Sequence, residues 1–169
     1  GHEQAAVLNG GLQAWQRAGP EGNSDNPSSR PGGENDYADL RSLVELIDAS
    51  DIDPSKQLLL DARDLPRYRG EMEPIDPVAG HIPGALCSPF SGNLDENSHF
   101  LDPVKLGEKF RQAAESTLPV VCYCGSGVTA AHNILAMTIA GMDNCILYPG
   151  SWSDWITDPN RPVAIGDGS

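Results

Sequence analysis

Apolar residues in this chain fall into short blocks separated by Gly, Pro and acidic positions, and the spacing inside each block predicts its element. Leu40, Leu43, Val44 and Ile47 follow the i, i+3, i+4, i+7 stripe of an amphipathic helix. QLLLDA (57–62) has the length of a buried strand, GHIPGALC (80–87) is a Gly/Pro turn leading into another short strand, and PVVCY (119–123) is a second buried-type strand. Asp102 then Pro103 supply an N-cap and a first-turn proline, and Leu106, Phe110 and Ala114 repeat at four, so 103–115 reads as a helix despite Gly107. VTAAHNILAMTIA (128–140) is a mostly apolar helix stopped by Gly141, and CILY (145–148) is a strand before the turn PGS. Strands alternating with helices predict an α/β domain with a mostly parallel central sheet flanked by helices.

Residues 21–36, EGNSDNPSSRPGGEND, cannot bury apolar surface and read as a flexible linker between a head, 1–20, and a body, 37–164. The head carries an internal echo. Shifted by 140 positions, GHEQAAVLNGGLQAW lies without a gap over GMDNCILYPGSWSDW, matching Gly1 with Gly141, Gly10 with Gly150 and Trp15 with Trp155. The expectation is that residues 1–20 are the last strand and helix of a preceding copy of the body. The strand edge they leave is open to pairing with a second chain, which allows a homodimer.

Composition narrows the function. The 169 residues hold 11 Lys and Arg against 24 Asp and Glu, a net charge of −13 that disfavours nucleic acid and anionic membrane surfaces. No apolar run approaches the roughly 18–20 residues of a membrane span, and the N-terminus lacks the plan of a signal peptide. Cys87, Cys122, Cys124 and Cys145 lie in or beside apolar segments, as reduced thiols of a cytoplasmic protein do, and their spacing with His132 matches no zinc site. No metal or cofactor is expected. An anionic ligand would have to be held by a few local cations.

The chemistry concentrates in VVCYCGSGVTA (120–130), a strand, a glycine-bearing loop and a helix start, the junction where parallel sheets bind ligands. Gly125 and Gly127 let consecutive backbone N–H groups turn toward one point, and the helix adds its positive end. Both features favour a thiolate, so Cys124 is the candidate nucleophile. A Cys-x5-Arg phosphatase loop would need an arginine where Ala130 stands. A cysteine protease would need a histidine base, and neither His81 nor His132 sits in such a context. A sulfur carrier needs only the activated thiolate and a nest of donors for the persulfide. Cys122 reads as a strand core residue, and Asp61 with Arg63 as a structural ion pair.

The body resembles the rhodanese superfamily, and in particular its tandem-domain sulfurtransferases of the 3-mercaptopyruvate and thiosulfate type. The resemblance runs through LLLDAR (58–63), RYRGEMEP (67–74), GHIPGA (80–85), CGSGVTA (124–130) and LYPGSWSDW (147–155). It implies that Cys124 takes sulfane sulfur from a small anionic donor as a persulfide and passes it to a thiol or cyanide. It implies that the backbone N–H groups of Gly125, Ser126, Gly127, Val128 and Thr129 steady that persulfide, with Ser126 hydrogen-bonding at the reacting sulfur. Thr129 is open between that role and a helix cap. Arg67 matches the arginine that binds the donor anion, while Arg69 is open between a site role and the surface. The neutral Gly125 and Ser126 favour 3-mercaptopyruvate over thiosulfate; Ile75, where a second carboxylate-binding arginine often stands, argues the other way. Family members also borrow a histidine and an aspartate from the preceding domain. The competing expectation is therefore a persulfide relay or partner-binding module that does not turn over a small donor.

Overall fold

The computed structural model describes residues 6–19 and 44–167. Five strands carry the body: β1 (Glu45–Leu46), β2 (Leu58–Asp61), β3 (Leu86–Cys87), β4 (Val120–Tyr123) and β5 (Cys145–Leu147). They form one sheet in the order β1-β5-β4-β2-β3, and every pairing is parallel. The helices are α1 (Gly11–Arg17) in the head, then α2 (Leu65–Tyr68), α3 (Pro103–Lys109), α4 (Arg111–Ala114), α5 (Val128–Ile139) and α6 (Ser151–Trp155).

The sheet has apolar layers on both faces because successive strand residues point opposite ways. Leu60, Val120, Cys122 and Cys145 face α3, α4 and α5, where Leu106, Phe110, Ile134 and Met137 bury against them. Leu59, Val121, Tyr123 and Ile146 face the other way, onto Tyr68, Ile82, Tyr148, Trp152 and Trp155. The central strand β4 is buried along its whole length. Fully burying one such side chain is worth about 1.5–3 kcal/mol, so this double-sided core dominates the stability of the body.

Local signals explain the ends of the elements. The Asp102 carboxylate accepts from the amides of Val104 and Lys105, as its N-cap position predicts. The expected helix over 103–115 breaks in two at Phe110 (φ −95°, ψ 14°), whose buried ring faces the core from the kink. A larger departure concerns the expected helix from Leu40 to Ile47. Residues 40–43 lie outside the described residues, and Val44–Ile47 is not helical. Glu45 and Leu46 pair with Ile146 and Leu147, and the Ile47 amide donates to the Leu147 carbonyl at 3.0 Å. The free edge of β5 recruits this segment as a strand, and backbone pairing overrides the four-residue apolar stripe.

In the head, the helix is present and residues 6–8 are irregular; the linker 21–36 and residues 1–5 lie outside the described residues. The Phe100 amide donates to Asn9 Oδ1 at 2.9 Å, tying the head to the body. Helix α1 buries none of its residues, and Leu12 and Trp15 are 68% and 47% exposed. Among the described residues, no helix is long and apolar enough to cross a membrane.

Gly127, at the N-cap of α5, has φ +83°, and a Cβ there would lie 2.7 Å from the Pro149 carbonyl oxygen. Gly127→Ala is therefore expected to destabilise the body by about 1–3 kcal/mol, read as a fall of several degrees in the thermal unfolding midpoint. Gly107→Ala, with open space at the Cβ position, should not lower it.

Candidate active site

Cys124 lies where the chain leaves β4, at the carboxyl end of the sheet, and is 2% exposed. The following loop is tied to the segment after β5. The Cys124 amide donates to Ser151 Oγ at 3.0 Å, and that hydroxyl donates to the Tyr148 carbonyl at 2.9 Å. The Trp152 and Ser153 amides donate to the Cys124 and Gly125 carbonyls at 3.0 and 2.9 Å. These bonds consume the Cys124 and Gly125 carbonyls and leave the loop's donors. The amides of residues 125–130 find no acceptor among the described residues. A row of free N–H groups running into the first turn of a 12-residue helix is a place where an anion or a thiolate-derived sulfur can be held.

A cavity of about 160 Å³ opens on this loop. Cys124, Gly125, Ser126, Val128 and Thr129 line it from the loop, and Arg67, Ile75, Asp76 and Ser153 close it from elsewhere. Six of the seven site residues expected from sequence are thus gathered in one place. Gly127 does not line the cavity; its part is to turn the chain against Pro149. Thr129 lines it and does not cap, since Gly127 occupies the N-cap position and no side chain bonds the helix start. Of the other thiols, burial pushes Cys87 and Cys145 up to about 11 and Cys122 well above its usual range. None of those three supplies a thiolate at neutral pH.

Arg67 is brought to the cavity by α2, but it arrives already paired. Its Nε and Nη2 donate to the two Glu73 oxygens at 3.1 and 2.7 Å, and Nη2 also reaches Asp76 Oδ2 at 3.3 Å. Glu73 in turn meets Arg63 Nη1 at 3.3 Å, and Arg63 grips Asp61 through Nε and Nη2 and donates to the Gly80 carbonyl at 2.7 Å. The Asp61–Arg63 pair is buried and structural, as expected from sequence. Arg69 pairs with Asp167 at 2.5 Å, outside the cavity lining.

Glu73, Asp76, Ser151 and Ser153 are the polar residues of the site that sequence reasoning missed. The signal for Glu73 was available: an arginine drawn partly out of water beside a pocket calls for a carboxylate partner, and RYRGEMEP supplies one. Asp76, Ser151 and Ser153 carry no comparable local pattern.

Neither histidine of the body near these motifs serves Cys124. His132 Nδ1 meets Asn93 Nδ2 at 3.0 Å, and its ring stacks on Phe100. Burial and the nearby Lys109 hold its pKa below the ordinary histidine value. His81 is buried, bonded through Nδ1 to the Tyr68 carbonyl and stacked on the Tyr68 ring. Among the described residues, no group of three His, Cys, Asp or Glu side chains could hold a metal ion.

The profile of the rhodanese-like domain matches residues 39–158. The chain belongs to the rhodanese-like family. Among curated proteins, this rhodanese-like chain is 49% identical over 170 residues to the "Probable 3-mercaptopyruvate sulfurtransferase" of Pseudomonas aeruginosa, covering 95% of the chain and 58% of that protein. It is 32% identical over 177 residues to the thiosulfate sulfurtransferase of Bos taurus, covering 99% of the chain and 59% of that protein. The chain thus spans less than two thirds of the length of these relatives. Among solved structures, the Tum1 protein of Saccharomyces cerevisiae matches with a TM-score of 0.62 and 27% identity, over 72% of this chain and 46% of that one.

The Glu73 pairing has a pH signature. Burial favours its neutral form, but the Arg67 guanidinium and the amides of Asp76 and Ile75 outweigh this and hold the carboxyl below the ordinary glutamate value. A carboxyl whose folded pKa is depressed contributes stability above its unfolded pKa and loses it as pH falls through the folded pKa. Glu73→Gln should therefore be less stable than the parent at pH 7, with the gap closing as pH falls below about 4.5 in denaturant titrations at several pH values.

Proposed function

We propose that this chain is the catalytic rhodanese-like domain of a sulfurtransferase working through a persulfide on Cys124. The observation that carries this reading is the single cysteine lining a small cavity, beside a loop whose amides have no acceptor among the described residues. The Cys124 thiolate attacks the outer sulfur of the donor and an Sγ–S bond forms. With thiosulfate, the donor S–S bond breaks and its electron pair leaves on sulfite. With 3-mercaptopyruvate, the C–S bond breaks and the enolate of pyruvate leaves and takes a proton. The free amides of the 125–130 loop stabilise the negative persulfide, as oxyanion-type donors stabilise developing charge elsewhere. Cyanide or a thiol then attacks the outer sulfur, carrying it off and returning the Cys124 thiolate. Arg67 orients the donor anion, Ser126 and Thr129 flank it, and the protein is placed in the cytoplasm.

The head fits the same reading as the end of a preceding similar domain. By the 140-residue repeat, Leu12 and Trp15 correspond to Trp152 and Trp155, which are 0% and 5% exposed in the body. Side chains at matching positions are built to bury against a sheet, and in α1 they are open.

A relay without small-donor turnover is the second reading. It is favoured by the pairing of Arg67, the cation meant for the donor, with two carboxylates of its own chain. Cyanide-dependent thiocyanate release, measured with thiosulfate and with 3-mercaptopyruvate, separates the two. The enzyme reading expects turnover of at least one donor, loss to background in Cys124→Ser, and activity within about twofold of the parent in Cys122→Ala. No turnover with either donor, alongside persulfide loading from a protein partner, is the relay's outcome.

A further inference from the structure

The carboxylates and guanidiniums beside the cavity form an alternating row. Asp61 pairs with Arg63 at 2.6 Å, Arg63 with Glu73 at 3.3 Å, Glu73 with Arg67 at 2.7 Å, and Arg67 with Asp76 at 3.3 Å. Three acids against two arginines leave one negative charge in surplus. The row ends on Asp76, and Asp76 is the acid that lines the cavity with Cys124.

Glu73 and Asp76 hold Arg67 differently. Glu73 takes the Nε and Nη2 edge with both oxygens and accepts the Ile75 and Asp76 amides besides, so it fixes where the guanidinium sits. Asp76 makes one longer contact through Oδ2, while its Oδ1 accepts from Ser153 Oγ at 2.7 Å. Ser153 is itself anchored by its amide to the Gly125 carbonyl. Asp76 is thus pinned from both sides, in the position a bound anion would take on Arg67. Any anion using that arginine must share it with Asp76 or displace it, inside a cavity of about 160 Å³. The repulsion it meets scales with its charge, so a dianion is opposed about twice as strongly as a monoanion. No second cation offsets this, because Arg67 is the one Lys or Arg among the described residues lining the cavity.

We propose that Asp76 is the specificity-determining residue of this pocket: its carboxylate, set between Arg67 and Ser153, discriminates against doubly charged sulfur donors and in favour of singly charged ones. The substrate class it selects is a monoanionic thiol or persulfide donor, 3-mercaptopyruvate rather than thiosulfate. This deepens the reading of Cys124 as the sulfur acceptor and rests on it.

Two measurements on the whole chain test it, and the first needs no turnover. Alkylation of Cys124 by iodoacetate, a monoanion, and by neutral iodoacetamide is followed by mass spectrometry of the peptide that holds it. Asp76→Asn should raise the iodoacetate-to-iodoacetamide rate ratio about fivefold, and Asp76→Glu should keep it near that of the parent. The second measurement is the ratio of kcat/KM for thiosulfate to that for 3-mercaptopyruvate, which should rise by a similar factor in Asp76→Asn. Asp76→Ser, neutral and without an amide donor, is the second variant should the asparagine protein fail to fold. Rate ratios within twofold of the parent in the neutral variants, an equal fall with both donors, or a Cys124 that neither reagent reaches would overturn the proposal. A shifted alkylation ratio in a chain that turns over neither donor would uphold the role of Asp76 and defeat the enzyme reading instead.

Discussion

The double burial of β4 is the constraint on which the rest of the molecule depends. Paired on both sides by β2 and β5 and covered on both faces, this strand has no freedom of register. Its carboxyl end therefore delivers Cys124 to one place. The chain cannot continue straight, because α5 must turn back over the sheet, and the left-handed Gly127 makes that turn against Pro149. The reversal leaves the amides of 125–130 without acceptors among the described residues. The fold thus exposes this row of donors as a geometric by-product of a parallel sheet that reverses through glycine.

Charge sets the second condition. With a net charge of −13, the chain can tolerate an anion only where local donors outweigh the surrounding field. Beside Cys124 such donors are the backbone amides of the loop. At the far side of the cavity the arrangement is more restrained, since Arg67 is held by Glu73 and shadowed by Asp76. Pairing keeps the guanidinium in one orientation despite partial burial, and it lowers the attraction the guanidinium can offer. The cavity is thus rich in backbone donors on its loop side, and its one lining cation among the described residues is already paired.

Much of this was legible in the sequence, for identifiable reasons. Buried strands such as LLLD and VVCY announce themselves because both faces are apolar, and the Asp102–Pro103 start and Gly141 stop are chemical signals local to the chain. The glycine loop after a strand singled out Cys124 as a candidate because that pattern also lies within a few consecutive residues, and the structure sets Cys124 in the cavity lining. What sequence did not reveal depends on tertiary pairing. Val44–Ile47 has the spacing of a helix and is drawn into a strand by the open edge of β5, and Phe110 breaks its helix to reach the core. Ser151, Ser153 and Asp76 join the site only because β5 lies beside β4 and the loop after α2 folds across it.

Cys124 is the one of the four thiols proposed to carry the sulfur. Mass spectrometry of the peptides after incubation with thiosulfate or 3-mercaptopyruvate, without acceptor, tests it most directly. One added sulfur is expected on the peptide holding Cys124, removed by cyanide and absent from Cys124→Ser. The added sulfur on Cys87, Cys122 or Cys145 instead, or its persistence in Cys124→Ser, would contradict it.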